Sequence, residues 1–153
     1  ELVPLPFVAS ESPIYLKGNA RRGPTFRESL LMHAVARLVL HGLIDNIQAS
    51  WVKMGEAGVL ACLNAGANDL GGTLMNETIT RAAGASHGEE VGPAEMDARI
   101  RAMSRSPRQR NTLYGEADPA QRERAARAER LKDVVNTPAS KYERSKRGLI
   151  ASG

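Results

Sequence analysis

Two short segments of this 153-residue chain carry polar side chains at alternate positions. In the first, Leu43–Lys53, the polar residues are Asn46, Gln48 and Ser50. Alternate residues of a β-strand point to the same face, so two amides and a hydroxyl would share one face. The opposite face is apolar and consists of Ile47, Ala49 and Trp51. Inward-pointing polar groups near strand ends form the active site of a barrel enzyme, so we predict a pocket here.

The second segment, Ala67–Met75, repeats this pattern with smaller side chains. Asp69 and Thr73 share one face, two glycines lie between them, and Asn68 adds a hydrogen-bonding group. Glycines inside a strand often mark the close approach of a ligand or another backbone. Glu77, early in the next predicted helix, adds a carboxylate at the same edge. Together the two segments predict these pocket residues: Gln48, Ser50, Asn68, Asp69, Thr73 and Glu77.

Each of these residues also has a purely structural interpretation. The paired glycines can mark a β-bulge, Asp69 can cap a turn, and Glu77 can complement a helix dipole. Arg21 and Arg22, in the loop after the first predicted strand, either hold an anionic ligand or face solvent, and we favour solvent. Two successive segments with polar faces favour the pocket interpretation for the set as a whole.

The elements that must position these residues begin with one well-marked helix. It is predicted over residues 26–41 because Thr25 and Glu28 form a T-x-x-E capping box. Its apolar stripe consists of Leu31, Ala34, Val35, Leu38 and Val39. Gly42 suits the left-handed position that ends a helix.

Strands and helices alternate along the first 85 residues. Strands are predicted over residues 2–8, 44–52 and 68–74, and helices over residues 26–41, 56–64 and 77–83. This alternation is typical of a parallel sheet with right-handed crossovers. We therefore expect the α/β class, with three βα units.

The sequence changes character after residue 85. Helices are predicted to begin at Pro93 and Pro119, and Glu123 and Arg127 are spaced for an exposed ion pair. The last residues have few apolar anchors and are predicted to be flexible. We expect three regions, namely the βα units, a helical extension and a tail: residues 1–85, 86–135 and 136–153.

The excess positive charge lies entirely after residue 85. Residues 1–85 carry seven Lys/Arg and seven Asp/Glu, and the remainder carries fourteen against ten. A basic region can bind nucleic acid. Here the arginines are interleaved with carboxylates and only two residues are aromatic, so a solvated helical surface is favoured over a nucleic-acid interface.

Composition excludes several other classes of protein. The one cysteine, Cys62, excludes a disulfide framework, and its helical context indicates a buried small hydrophobe. The three histidines share no ligand spacing, so no metal site is predicted. No stretch approaches the roughly 20 apolar residues of a membrane span, and the N-terminus lacks a signal-peptide pattern. A cytoplasmic location is therefore expected.

Four motifs occur in order between about residue 2 and residue 115: VPLPF (3–7), RRGPT (21–25), NIQASWVK (46–53) and GANDLGGTLMNE (66–77). The series resembles the C-terminal part of the FO synthase family. More narrowly, it resembles the tyrosine-using half, a radical S-adenosylmethionine enzyme of deazaflavin coenzyme biosynthesis. The resemblance implies a TIM-like barrel, of which this chain would form the last βα units followed by the helical extension.

The resemblance also implies cofactors, substrates and a partner. In the family, a 4Fe-4S cluster on a C-x-x-x-C-x-x-C motif cleaves S-adenosyl-L-methionine. A hydroxybenzyl group from L-tyrosine is then joined to 5-amino-6-(D-ribitylamino)uracil, and a partner half, fused or separate, closes the ring. This chain lacks the cysteine motif, so we expect a C-terminal fragment that is inactive alone. Its expected role is to bind substrate through the six predicted pocket residues.

Two other interpretations stay open. A sister radical enzyme of the futalosine route to menaquinone shares the barrel and the Gly-Gly-Thr type of motif, although the Arg-Arg-Gly-Pro-Thr and Gln-Ala-Ser-Trp-Val-Lys segments favour FO synthase. A non-enzymatic alternative is a nucleic-acid-binding helical module formed by residues 93–135. Steeply salt-dependent binding to oligonucleotides would indicate that module.

Overall fold

A computed structural model describes residues 1–73, 79–85 and 90–129, which contain six helices. In chain order these are α1 (Pro13–Leu16), α2 (Phe26–Val39), α3 (Trp51–Asn64), α4 (Ile79–Ala82), α5 (Pro93–Ala102) and α6 (Pro119–Ala126). The described residues fall into two compact units. The first comprises residues 1–71 and 79–85, and the second comprises residues 72–73 and 90–129.

The predicted capping box is present at the start of α2. The Thr25 hydroxyl accepts a hydrogen bond from the backbone N–H of Glu28 at 3.2 Å, and the Glu28 carboxylate accepts one from the backbone N–H of Thr25 at 2.7 Å. This pair satisfies two donors that a helix start leaves unbonded. The helix ends at Val39 rather than His41, and Gly42 has the predicted left-handed conformation, with φ of 75°.

The buried face of α2 is not its apolar stripe. Helix α2 packs against α3, and its buried residues are Ser29, His33 and Ala36. An apolar stripe normally faces the core, but four residues of the predicted stripe are about half exposed or more: Leu31 at 49%, Val35 at 51%, Leu38 at 78% and Val39 at 68%. The stripe therefore lies on the side of α2 opposite the packed face.

A histidine and the single cysteine meet where α2 packs on α3. The Nδ1 atom of His33 lies 2.8 Å from the carbonyl oxygen of Ser29 and 3.6 Å from Sγ of Cys62. A ring nitrogen that faces a carbonyl oxygen must carry a proton, so Nδ1 is the donor in this contact. Cys62 is 0% exposed, which confirms its prediction as a buried hydrophobe.

Three extended segments pair in parallel in the first unit. Leu2 pairs with Ile47 and Gln48 pairs with Asp69, so the segment around Ile47 is central. Gln48 N–H donates to the Leu2 carbonyl at 2.9 Å, and Ala49 N–H donates to the Asp69 carbonyl at 2.8 Å. In the part of the chain that the structure describes, this pairing is confined to isolated bridges, so the strands predicted over residues 2–8, 44–52 and 68–74 were too long. The TIM-like barrel itself stays a prediction.

The central segment is short because α3 begins at Trp51, inside the predicted strand. Gly55 interrupts this helix with φ of 66° and ψ of 179°, which separates a first turn from the rest. Glycine tolerates this conformation because it has no Cβ. The helix predicted over residues 56–64 coincides with the part of α3 after the interruption.

Helices α5 and α6, in the described part of the second unit, begin as predicted. Pro93 and Pro119 occupy the first turns of α5 and α6. Asp118 caps α6, since its Oδ1 accepts a hydrogen bond from the backbone N–H of Gln121 at 2.9 Å. The predicted ion pair between Glu123 and Arg127 is present. The predicted flexible tail, residues 136–153, lies outside the described residues.

Arginines of this unit lie close to carboxylates. Arg99 and Glu95 are 2.6 Å apart, and Arg101 and Asp97 are 3.1 Å apart, both at i,i+4 spacing along α5. Such pairs on one helix are what an exposed, solvated surface typically carries. None of the described helices has both the length and the apolar character needed to cross a membrane.

Candidate substrate-binding site

Gln48 and Asp69 form the centre of the candidate site. They pair directly in the parallel bridge, and directly paired residues of neighbouring strands point to the same face. Ser50 follows at the next position on that side. We call the side that carries these three residues the polar face. On the opposite side, Ile47 and Ala49 are 0% exposed, so the predicted alternation is confirmed for this segment.

Gly71 allows the Gln48 side chain to lie close to the third segment. Its φ is 72°, and a Cβ at this position would come within 2.2 Å of Nε2 of Gln48. Its backbone N–H donates to Oδ1 of Asp69 at 2.6 Å, which forms a local Asx turn. The turn-capping interpretation of Asp69 is therefore confirmed, and one of its carboxylate oxygens is engaged in this turn.

Ser50 stands at the junction between the central segment and α3. It is the N-cap residue of α3, but its hydroxyl makes no capping hydrogen bond. A serine at an N-cap usually accepts a hydrogen bond from the helix backbone. Because this hydroxyl is not used for capping and Ser50 is only partly buried, it can bond to a ligand on the polar face.

Lys53, in the first turn of α3, adds a cation beyond the end of the central segment. Its Nζ donates a hydrogen bond to Oγ1 of Thr80 at 2.7 Å. Thr80 lies in α4 and is 3% exposed. The contact therefore joins the chain that follows the central segment to the chain that follows the third segment.

The loop after the first parallel segment reaches the same region. Glu11 N–H donates to the Ala83 carbonyl at 3.0 Å, and the Ser10 hydroxyl donates to the Gly84 carbonyl at 3.3 Å. The carboxyl ends of parallel strands share one edge of a sheet, so three connections converge at this edge. In open α/β sheets and barrels this is the edge at which ligands bind.

A cavity of about 460 Å³ adjoins the first of these connections. Its lining residues are Phe7, Ala9, Ser10, Tyr15, Leu16, Arg22, Gly23 and Pro24. Arg21 and Arg22 are exposed, and Arg22 also borders the cavity. The structure therefore places Arg22 where it can meet both solvent and a ligand.

Asn68 points away from the polar face, toward α2. Its Oδ1 accepts hydrogen bonds from Nη2 of Arg37 at 2.7 Å and from the backbone N–H of Ile47 at 2.9 Å. Its Nδ2 donates to the Asp45 carbonyl at 3.1 Å, and Arg37 Nε donates to the Gly66 carbonyl at 2.7 Å. The structure therefore does not bring Asn68 together with the other predicted pocket residues. It ties α2 to two of the parallel segments.

The last two predicted pocket residues are Thr73 and Glu77. Thr73 is exposed and belongs to the second unit. Glu77 lies outside the described residues. Their place in a pocket stays a prediction.

The chain does not provide the ligands of an iron–sulfur cluster. Such a cluster is held by several cysteine thiolates, and this chain has one cysteine. Burial raises the pKa of the Cys62 thiol to about 11, so the thiol stays protonated at neutral pH. Among the residues that the structure describes, no group of three or more His, Cys, Asp or Glu side chains could hold a metal ion. The cluster that the resemblance implies does not fit this chain.

Sequence reasoning missed two residues of this region, Lys53 and Arg37. Lys53 was not predicted as a site residue because the central strand was predicted to continue past the position where α3 begins. The lysine was therefore not placed in a helical turn. Arg37 was not predicted to make structural contacts because a charged residue on an amphipathic helix usually faces solvent. The motif NIQASWVK, which contains Lys53, was the available signal for the first of them.

Comparison of the sequence with known protein families shows the family to which this chain belongs. A profile of the CofH/MqnC C-terminal region matches residues 1–123. The chain therefore belongs to the CofH/MqnC C-terminal family. This confirms the resemblance found from the motifs, which covered about residues 2–115. No solved structure was found to match the chain.

Comparison with individual proteins shows which members of this family the chain is similar to. The chain is 53% identical over 118 residues to the FO synthase of Nocardia farcinica, a match that covers 77% of this chain and 14% of the relative. It is 54% identical over 114 residues to the 5-amino-6-(D-ribitylamino)uracil--L-tyrosine 4-hydroxyphenyl transferase of Methanopyrus kandleri, covering 74% of this chain and 31% of the relative. The chain thus spans less than a third of the length of either relative.

Proposed function

We propose that this chain is the C-terminal part of a transferase that joins the hydroxybenzyl group of L-tyrosine to 5-amino-6-(D-ribitylamino)uracil in deazaflavin coenzyme biosynthesis. The observation that carries the proposal is the match to the Methanopyrus kandleri transferase, whose name gives both substrates. The polar face, at the ligand-binding edge of three parallel segments, supports a substrate-binding role. We refer to the longer protein as the parent transferase.

The polar face suits the aminouracil chemically. A uracil ring presents N–H donors beside C=O acceptors, and a carboxamide offers both a donor and an acceptor. The Gln48 amide can therefore pair with a ring edge through two hydrogen bonds. The Ser50 hydroxyl can both donate to and accept from a ribityl hydroxyl. In this proposal Asp69 and Gly71 position Gln48, and Asn68 fixes the segments from the opposite side.

The first unit is proposed to form the last βα units of a TIM-like barrel. Three parallel segments with helices after them support this fold. The exposed apolar face of α2 supports it as well, because an apolar helix face of this size is normally covered. We propose that the preceding part of the parent polypeptide covers this face, since the relatives extend well beyond the matched region.

The proposed cofactors are S-adenosyl-L-methionine and a 4Fe-4S cluster, both implied by the family resemblance. A reduced cluster of this kind supplies the radical that starts the reaction. Cys62 is buried and protonated, so the cluster ligands are proposed to lie in another part of the parent transferase. A ring-closing partner, fused or separate, is proposed to use the product.

A transfer assay tests this function. The parent transferase, with its cluster reconstituted, is supplied with L-tyrosine, the aminouracil, S-adenosyl-L-methionine and a reductant, and the joined product is detected by mass spectrometry. The combined change of Gln48 and Asp69 to Ala should lower product formation at least about 10-fold, because the Gln48 amide and the carboxylate that positions it are both lost. Cleavage of S-adenosyl-L-methionine should remain measurable in this variant. Absence of the product with the unmodified protein would refute the proposed function.

The family profile is shared by CofH and MqnC members. The second candidate is the radical enzyme of the futalosine route, which the sequence alone leaves open. The relatives at about half identity favour the deazaflavin function. Supplying the parent transferase with the futalosine-route substrate in place of tyrosine and the aminouracil separates the two. Product from that substrate alone would favour the second candidate.

A further inference from the structure

Lys53 holds a partly buried positive charge at the edge where the three connections converge. Its Nζ bonds to the buried Thr80 hydroxyl at 2.7 Å, and both partners are fixed by helices, Lys53 in the first turn of α3 and Thr80 in α4. A long, flexible side chain is thus held at a defined position. The ammonium group is directed across the connections rather than out along a solvated surface.

The Lys53 ammonium has more hydrogen-bond donors than its bond to Thr80 uses. An ammonium group has three N–H donors, and Thr80 takes one of them. Within the described ranges 1–73, 79–85 and 90–129, no carboxylate forms an ion pair with Lys53. Because a partly buried charge is costly to leave unpaired, the site is suited to receive an anion from outside the chain.

The chemistry of the proposed substrates identifies which of them supplies that anion. L-Tyrosine carries an ionised α-carboxylate at neutral pH, since α-carboxyl groups have pKa values of roughly 3.3–3.7. The aminouracil carries carbonyls, amines and hydroxyls but no acid that ionises in this range. A charge-assisted hydrogen bond from an ammonium to a carboxylate is about twice as strong as a neutral one.

We propose that Lys53 is a substrate-binding residue that pairs with the α-carboxylate of L-tyrosine, while Thr80 holds the ammonium in place. This inference rests on the proposed function, because that function supplies the substrate. It places the amino-acid end of tyrosine beyond the end of the central segment. The Gln48 and Ser50 groups then remain for the aminouracil.

Calorimetric binding to the parent transferase tests the pairing. L-Tyrosine is compared with tyramine, which has the same ring and amine but no carboxylate. The unmodified protein should bind L-tyrosine about 10- to 100-fold more tightly than tyramine, as expected for a hydrogen bond between charged groups. In Lys53→Met this preference should disappear through weaker binding of L-tyrosine, with tyramine unchanged. Lys53→Arg should retain much of the preference because it retains the charge.

Two further variants separate binding from folding. Lys17→Met removes an exposed lysine and should leave both affinities unchanged. Thr80→Val removes the anchoring hydroxyl and should weaken L-tyrosine binding several-fold while the charge remains. The inference would be overturned if Lys53→Met kept the full preference for L-tyrosine. It would also be overturned if this variant lost affinity for L-tyrosine and tyramine equally. If the unmodified protein makes the transfer product but shows no preference for the carboxylate, only the inference fails, and the proposed function stands.

Discussion

The side chain of Gln48 lies against Gly71, at a point where a Cβ would stand 2.2 Å from Nε2. That distance is far below van der Waals contact, so no side chain fits at residue 71 unless Gln48 moves. Gly71 also has a positive φ, which disfavours every residue that carries a Cβ. The orientation of a proposed substrate-binding amide therefore depends on the absence of one side chain.

Replacing Gly71 by Ala should disturb the polar face in a way that its neighbour does not. We expect Gly71→Ala to destabilise the protein by about 1–2 kcal/mol through its left-handed backbone, and to weaken binding of the aminouracil by displacing Gln48. Gly72→Ala is the matched control, because a Cβ there meets nothing within 4 Å. Denaturant unfolding and calorimetry of both variants in the parent transferase measure the two effects. Equal stability and equal aminouracil affinity of the two variants would contradict the proposed role of Gly71 in positioning Gln48.

Removing the Asn68 amide should loosen the connection between α2 and the parallel segments. Asn68→Ala leaves Arg37 and the Ile47 N–H without their shared acceptor, and we expect destabilisation of about 1–3 kcal/mol. Hydrogen–deuterium exchange should increase first in α2 and around Ile47. Asn64→Ala, at the exposed end of α3, is the control and should leave exchange at these sites unchanged. Loss of substrate affinity with unaltered exchange would instead indicate direct ligand contact by Asn68.

The reactivity of Cys62 should report on packing between α2 and α3. Burial raises the pKa of this thiol from 9.0 to about 11, so a thiol reagent at pH 8 should label the 153-residue chain only slowly. Labelling should become fast once urea unfolds the chain. Rapid labelling without denaturant would contradict the buried position.

The same thiol makes stability depend on alkaline pH. The folded pKa is raised, so the thiol ionises more readily in the unfolded chain, and its contribution to stability is present below pH 9. That contribution should be lost as the pH rises from about 9 toward about 11. Cys62→Ala should flatten this part of the curve of unfolding free energy against pH. An unchanged alkaline slope in Cys62→Ala would assign the loss to other groups.

The capping box should make α2 sensitive to acid. The hydrogen bonds from Thr25 lower the pKa of Glu28, chiefly the one from its backbone N–H. A lowered folded pKa gives stability that is present above the unfolded pKa and is lost as the pH falls through the folded value. The stability difference between the unmodified chain and Glu28→Gln should therefore shrink as the pH is lowered. Thr25→Ala, which removes the cap hydroxyl, should cost about 1 kcal/mol at neutral pH by denaturant unfolding.

Local features of the fold could be predicted from the sequence because their determinants are neighbours in the chain. The capping box needs only Thr25 and Glu28, the helix starts need Pro93 and Pro119, and the burial of Ile47 follows from alternation. Each of these predictions was confirmed. The Asx turn at Asp69 belongs to the same class, since it joins residues two positions apart.

Features that depend on distant partners could not be predicted in this way. Where the central segment ends depends on the start of α3, whose first turn is separated from the rest of the helix at Gly55. The orientation of Asn68 depends on Arg37, which lies 31 residues away in sequence. The Lys53 contact joins two helices that no local pattern connects. The exposed stripe of α2 shows that amphipathicity identifies an apolar face without identifying what covers it.

The affinity of the parent transferase for 5-amino-6-(D-ribitylamino)uracil, with and without the Gln48 amide, tests the proposed role of the polar face most directly. Gln48→Ala removes two hydrogen bonds while Gly71 and the parallel pairing remain, so calorimetry should show binding about 5- to 30-fold weaker. Binding of L-tyrosine should stay the same, because Lys53 lies elsewhere on the edge. Unchanged affinity for the aminouracil in Gln48→Ala would contradict a substrate-binding polar face.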